Sequence, residues 1–443
     1  MKIQLSDHFT YNRLFRFVLP SIVMMIFTSI YGVVDGLFVS NFVGKTPFAA
    51  LNLIYPFIMV LGAAGFMLGT GGSAYVGKTL GEGKQEEANQ YFSFLIYTAL
   101  VLGVILAVLG IVFVRPVARL LGADDAMIEH CVVYGRIILA ALPAFMLQNM
   151  FQSFLITAEK PTMGLIVTIG AGVTNMFLDW LFIAVFQWGL PGAALATAMS
   201  QCVGGVIPFV YFLMQKKSLL YLTKTRYYGR VLWYSCSNGI SELLSNISMS
   251  IVSMLYNYQL IRVAGENGIA AYGVIMYVQF IFIALYIGYS IGTAPIISYN
   301  YGAGNHKELQ NLFKKSAVII INCSVALTVI ALLLAGTLSS LFVSYDATLF
   351  EMTKRGFVIC SFSFLFCGIG IFGSSLFTAL NNGVVSAVIS FLRSVIFQVV
   401  AVIVLPIFWG IDGIWASVSL AELAGMVITL CFVVILRKKY HYL

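Results

Sequence analysis

Long apolar runs separated by short polar breaks occupy residues 14–39, 48–76, 91–114, 131–157, 163–186 and 192–214. A second set follows at 231–260, 269–299, 317–343, 357–380, 384–408 and 414–435. Each run is long enough to cross a hydrocarbon layer about 30 Å thick as a helix. Polar residues gather between the runs instead of alternating with apolar ones inside them, so strands of a membrane barrel are excluded. The pattern predicts an all-α integral membrane protein with twelve transmembrane helices.

Composition agrees. Of 443 residues, 60% are hydrophobic and 9% charged, against about 25% charged in soluble domains. The net charge of +8 does not call for a nucleic acid or another anionic partner, because its distribution accounts for it. With twelve spans, 17 Lys and Arg fall on the side of the termini, 6 fall opposite and 2, Arg136 and Arg393, lie within spans. The positive-inside rule then places both termini in the cytoplasm. Asn41-Phe42-Val43-Gly44 after the first run is no signal cleavage site, so that run is expected to remain. Seven scattered cysteines without a Cys-x-x-Cys pair, and four histidines at loops or termini, give no support for disulfides, a metal cluster or a histidine catalyst.

Shifting the chain by 221 positions lays Gly44 on Gly265, Gly71 on Gly292, Gly81 and Gly83 on Gly302 and Gly304, and Asp125 on Asp346. Trp188-Gly189 falls on Trp409-Gly410 at the same offset. The chain therefore reads as a duplication. Residues 1–214 form one six-helix lobe, 215–230 a basic cytoplasmic linker and 231–443 a second lobe. An even number of spans per unit makes the repeats parallel, related by an axis along the membrane normal. The Gly-x-Gly loops at 81–83 and 302–304 lack the preceding strand and the Gly-x4-Gly-Lys-Ser/Thr pattern of a phosphate loop. They read as helix caps with tight turns.

Charge inside the spans is the candidate chemistry. Asp35 lies in the first span, where an ionised carboxylate costs about 2.5 to 3.5 kcal/mol. Asn175 and Asp179 share a face of the fifth span at i, i+4. If Asp35 and Asp179 face one cavity they repel, and a proton relieves that repulsion. With Asn175 and Thr197 the same pair makes an oxygen cage suited to Na⁺. The plain alternative leaves Asp179 solvated at its span's outer end. Tyr31, Tyr134, Asn149 and Gln152 are candidate cavity residues, and Pro20 is a candidate hinge for the helix bearing Asp35. The second half does not repeat this set, since Asp35 lands on Tyr256, Asn175 on Ile396 and Asp179 on Val400. It carries instead Glu242, Asn246, Gln279, Arg393 and Glu422, with Glu242 and Arg393 read either as an ion pair or as substrate contacts. With 35 Phe, 23 Tyr and 17 Met, a central cleft would suit flat cationic ligands.

Pro20 followed by Tyr31-x3-Asp35-x2-Phe38, then Asn175-x3-Asp179 and Thr197, resembles the multidrug and toxic compound extrusion (MATE) family, in its DinF-like and MepA-like branch. Asn238-Gly239-Ile240-Ser241-Glu242 and Leu392-Arg393 resemble the MepA-like pattern. The resemblance implies two lobes of six helices and a secondary active antiporter, not an enzyme, that exports organic cations or amphipathic drugs. It implies H⁺ or Na⁺ as coupling ion at Asp35, Asn175, Asp179 and Thr197, no other cofactor, Pro20 as the bending point, and a monomer in the lipid bilayer of the cell's inner (cytoplasmic) membrane. The related branch that couples through acids in spans seven and ten is matched poorly. A lipid-linked oligosaccharide flippase of the same superfamily is the alternative within transport, and it would need a basic cleft. An intramembrane enzyme or receptor is the alternative outside it, but no catalytic set is present.

Overall fold

The structure, a computed structural model, describes residues 3–343 and 346–443. The first half contains α1 (Tyr11–Phe42), α2 (Lys45–Gly81), α3 (Gln85–Leu120), α4 (Ile128–Ala140), α5 (Leu142–Thr157), α6 (Pro161–Asp179) and α7 (Gly189–Met214). A π-helical turn at Trp180–Val185 extends α6. The second half contains α8 (Gly229–Gly302), α9 (His306–Val343), α10 (Ala347–Ser361), α11 (Phe364–Ala379), α12 (Gly383–Phe391), α13 (Phe397–Trp409) and α14 (Ile411–Tyr440). Another π turn, Leu392–Ile396, joins α12 to α13.

Among the described residues, nine helices are long and apolar enough to cross a membrane, and two bent pairs, α4 with α5 and α10 with α11, raise the number to eleven. The twelfth comes from α8. Its backbone breaks at Gly265 (φ 64°, ψ −152°), and the stacking of Tyr256 on Tyr272, 5.2 Å apart across the break, shows that the two arms fold back on each other. Twelve crossings result, as the apolar pattern predicts.

The repeat is written into the backbone. Left-handed φ values occur at Gly44, Gly83 and Gly189 and again at Gly265, Gly304 and Gly410, three pairs at the 221-residue offset. The broken spans also correspond, with bends of 53° between α4 and α5 and 50° between α10 and α11. Pro143 accounts for the first, since it removes one helical hydrogen bond and crowds a carbonyl one turn back. The second has Phe364 at the equivalent position, so there the surrounding fold holds a similar bend without a proline.

The halves meet on the side of the termini. A Cβ at Gly81 would lie 2.0 Å from the Tyr299 carbonyl oxygen, and one at Gly302 would lie 2.0 Å from that of Lys78. Only glycine permits backbones this close. Nearer mid-span, Gly71 packs on Gly239, and Gly292 on Val18. Residues 3–10 run over this seam. The Leu5 N–H donates to Glu159 Oε1 (2.9 Å), the Asn300 amide donates to the Leu5 carbonyl (3.4 Å), and the Phe9 N–H donates to Glu308 Oε1 (2.9 Å). Leu5 and Phe9 are fully buried. The strap therefore touches both halves. Between α7 and α8, residues 215–228 lie along α3, where the Tyr221 and Thr223 N–H groups donate to Asn89 Oδ1 and Ser93 Oγ.

Pro20 sits inside α1, which runs unbroken from Tyr11 to Phe42. Its neighbours Ser21 and Ile22 press against Gly288 of α8.

Candidate functional site

Two parallel spans build the site. At Gly172 of α6 an added Cβ would lie 2.5 Å from the Phe27 ring and 3.1 Å from Tyr31, so α1 approaches α6 closely there. One turn further along each helix come Asp35 on one side and Asn175 on the other, with Asp179 a turn beyond. The α6 helix then widens into the π turn directly after Asp179, a feature that recurs at functional positions because it re-aims side chains.

Asp179 is fully buried, and neither of its carboxylate oxygens has a hydrogen-bond partner. Asp35 Oδ1 is likewise buried and unpartnered. The two carboxyls interact with each other directly, although no well-aligned hydrogen bond joins them. Asn175 donates its amide to Thr197 Oγ1 of α7 at 3.4 Å, which leaves Asn175 Oδ1 buried without a donor. The cluster is a set of buried oxygens that no donor reaches. Such a set is costly in a low-dielectric interior unless a proton or a cation completes it. Burial thus answers the plain alternative for Asp179, which is not solvated.

Tyr31 and Tyr134 lie within electrostatic reach of Asp35, and Tyr134 also of Asp179. Asn149 is buried on α5 against Gly69 of α2, with its Nδ2 unpartnered. Gln152 stands apart from the carboxylates. With Gln148 and Thr168 it lines a cavity of about 10 Å³, room for about one water.

The carboxyl-terminal half holds a different arrangement. Arg393, on the second π turn, pairs with Glu422 of α14 through Nη1, at 3.2 and 3.3 Å to the two carboxylate oxygens. Of the two readings the sequence leaves open for Glu242 and Arg393, the ion pair does not form, because Arg393 is taken by Glu422. The Arg393 stem lies in a slot between Gly370 and Gly425, whose Cβ atoms would come within 2.8 and 2.6 Å of it, and the slot aims the guanidinium at Glu422. Glu242 stays within coulombic reach of Arg393. Asn246 turns its amide to the Glu242 carbonyl of its own helix (2.8 Å), and Gln279 is buried with Nε2 unpartnered. Tyr256, at the position equivalent to Asp35, is satisfied. Its hydroxyl meets Gln398 Oε1 at 2.8 Å and Ser417 Oγ at 2.9 Å.

A family model described as MatE matches residues 20–181 and again residues 243–404, one copy in each half. The chain belongs to the MatE family. It is 26% identical over 434 residues to the multidrug export protein MepA of Staphylococcus saprophyticus, covering 97% of this chain and 94% of that protein. The MepA of Staphylococcus haemolyticus is 25% identical over 433 residues with the same coverage. Among solved structures, the outward-facing conformation of a multidrug resistance MATE family transporter superposes with a TM-score of 0.92 at 21% identity, over 98% of this chain and 97% of that one. This MatE protein is thus a multi-pass membrane transporter with the twelve-helix, two-lobe fold that the resemblance implies.

One residue beside this candidate site carries no clear signal in the sequence. Tyr55 of α2 interacts electrostatically with both Tyr31 and Asp35, yet 45% of its surface is accessible. A residue so deeply placed and still accessible lines a cleft. Its only sequence signal is its place before Pro56 in the second span, which does not separate it from an interfacial aromatic.

Proposed function

We propose that the chain is a secondary active antiporter that couples inward flow of H⁺ or Na⁺ to export of cationic and amphipathic drugs by alternating access. Membership of the MatE family supports drug export. The observation that carries the coupling is the cluster of buried acceptors without donors at Asp35, Asp179 and Asn175. A coupling ion completes the cluster. Its arrival lets α1 and α6 draw together, and its absence leaves two carboxylates in repulsion, so occupancy and helix position are linked. Tyr31, Tyr55 and Tyr134 provide aromatic walls beside the ion, suited to an organic cation.

In this reading the termini are cytoplasmic, the seam at Gly81 and Gly302 closes the cytoplasmic side, and Pro20 is where α1 flexes. One charge moving through 100 mV contributes about 2.3 kcal/mol, the drive that ion binding at Asp35 and Asp179 converts into drug release. The protein works as a monomer. The flippase alternative finds no support, because Arg393 is paired with Glu422 and Arg136 is exposed.

Purified protein in proteoliposomes, given ethidium, should release protons or Na⁺ in proportion to drug bound. Replacing Asp35 by Asn should abolish export while the protein still folds. Undiminished ethidium efflux by that variant sinks the proposal, and repeating the assay with and without Na⁺ identifies the ion.

A further inference from the structure

On the side of the termini, α1 meets the second arm of α8 and α9 around a cavity of about 210 Å³ whose lining is wholly apolar. Phe15 and Leu19 of α1 stand on one side, Leu285 of α8 at the back, and Ile319 and Cys323 of α9 on the other. Tyr286 and Tyr289 contribute only ring carbons, because their hydroxyls donate elsewhere, to the Phe364 carbonyl (2.9 Å) and to Ser316 Oγ (2.8 Å). Phe15 and Leu19 are exposed on a membrane-spanning helix, so the cavity opens towards lipid. It exceeds the roughly 150 Å³ apolar cavity that stays dry and takes up benzene. Nothing in it can bind an amine or a carboxylate, so its occupant is hydrocarbon.

The mouth nearest the termini carries the opposite chemistry. Tyr11 lies one turn before Phe15, and Lys315 one turn before Ile319. The Lys315 ammonium rests 5.4 Å over the Tyr11 ring and donates to the Phe9 carbonyl at 2.5 Å, which leaves further N–H groups for another acceptor. Lys314, next to Lys315, and Arg16, next to Phe15, are exposed and in no ion pair among the described residues. An apolar slot with Lys314 and Lys315 a turn before its α9 lining, and Arg16 next to Phe15 on α1, matches the charge order of an anionic phospholipid, head group outward.

We propose that this groove is a binding site for one anionic phospholipid of the bilayer, its acyl chain between α1 and α9 and its phosphate on Arg16, Lys314 and Lys315. The lipid bridges the two halves at the seam, independently of the ion site. Native mass spectrometry of the full-length protein, titrated with dioleoyl phosphatidylglycerol or dioleoyl phosphatidylcholine, tests it. The wild type should retain one phosphatidylglycerol at least tenfold more tightly than phosphatidylcholine. The double variant Arg16→Gln, Lys314→Gln changes only exposed side chains and should bring phosphatidylglycerol down to the phosphatidylcholine level. Cys323→Trp and Ile319→Trp, each filling the slot, should lower retention of both lipids. Equal binding of the two lipids by the wild type, or unchanged phosphatidylglycerol retention in the double variant, means annular lipid only and overturns the proposal.

Discussion

In the amino-terminal half, position 35 is a carboxylate with a buried oxygen that no donor reaches, and its neighbours Asp179 and Asn175 add more acceptors of the same kind. In the carboxyl-terminal half the equivalent position, 256, is a tyrosine whose hydroxyl joins Gln398 and Ser417, and the buried charge nearby is paired, Arg393 with Glu422. The two copies share bends, glycine turns and π-widened spans, but one gathers unpartnered carboxylate oxygens while the other pairs its equivalent position and its buried charge. An incomplete interior can respond to an ion, whereas a closed one holds its shape. The scaffold is therefore compatible with either state, and the difference lies in a few side chains.

The contrast can be tested directly. Glu422→Gln should give the largest change, a loss of about 3 to 5 kcal/mol of stability, because it strands Arg393 among buried groups. Thermal unfolding in detergent reads it out, and an unchanged midpoint would show that the pair is solvated. Asp35→Asn should reduce drug accumulation against a potential of 100 mV by about 50-fold, the equivalent of about 2.3 kcal/mol; vesicle efflux assays measure this. Asp179→Asn should shift stability in the opposite direction to Glu422→Gln, a gain of about 1 to 3 kcal/mol, since it replaces a buried oxygen that no donor reaches by an amide that can donate to its neighbours. A loss there would mean that the amino-terminal cluster already holds its ion under the assay conditions. Tyr256→Phe should be mildest, about 1 kcal/mol, from the hydrogen bonds of one buried hydroxyl, with transport unchanged.

Much of this was readable in advance. The 221-residue repeat showed because glycines with left-handed backbone tolerate few substitutes, so Gly44, Gly83 and Gly189 recur in register at Gly265, Gly304 and Gly410. Asp35, Asn175 and Asp179 stood out because carboxylates and amides are rare in apolar spans. The Arg393–Glu422 pairing did not show, because the slot that directs it depends on Gly370 and Gly425, which are distant in sequence and look like any span glycine. Nor did the break in the tenth span, which has no proline to announce it and is set by the fold around it. Tyr55 was invisible for a third reason, since tyrosines in apolar spans serve as belts, fillers and cleft walls alike.

The contact at the seam has one more implication. Residue 81 touches 299 while residue 302 touches 78, and each pair of equivalents is 221 apart, so the contact obeys the reciprocal rule of a two-fold homodimer, i to j and j to i. A single chain here closes on itself through an interface with the grammar of subunit assembly. The two contacts must form and part together, because neither backbone can separate from its partner without carrying the symmetric one along. A six-helix unit expressed alone would still present both sides of that contact, and a second copy of itself would be its natural complement.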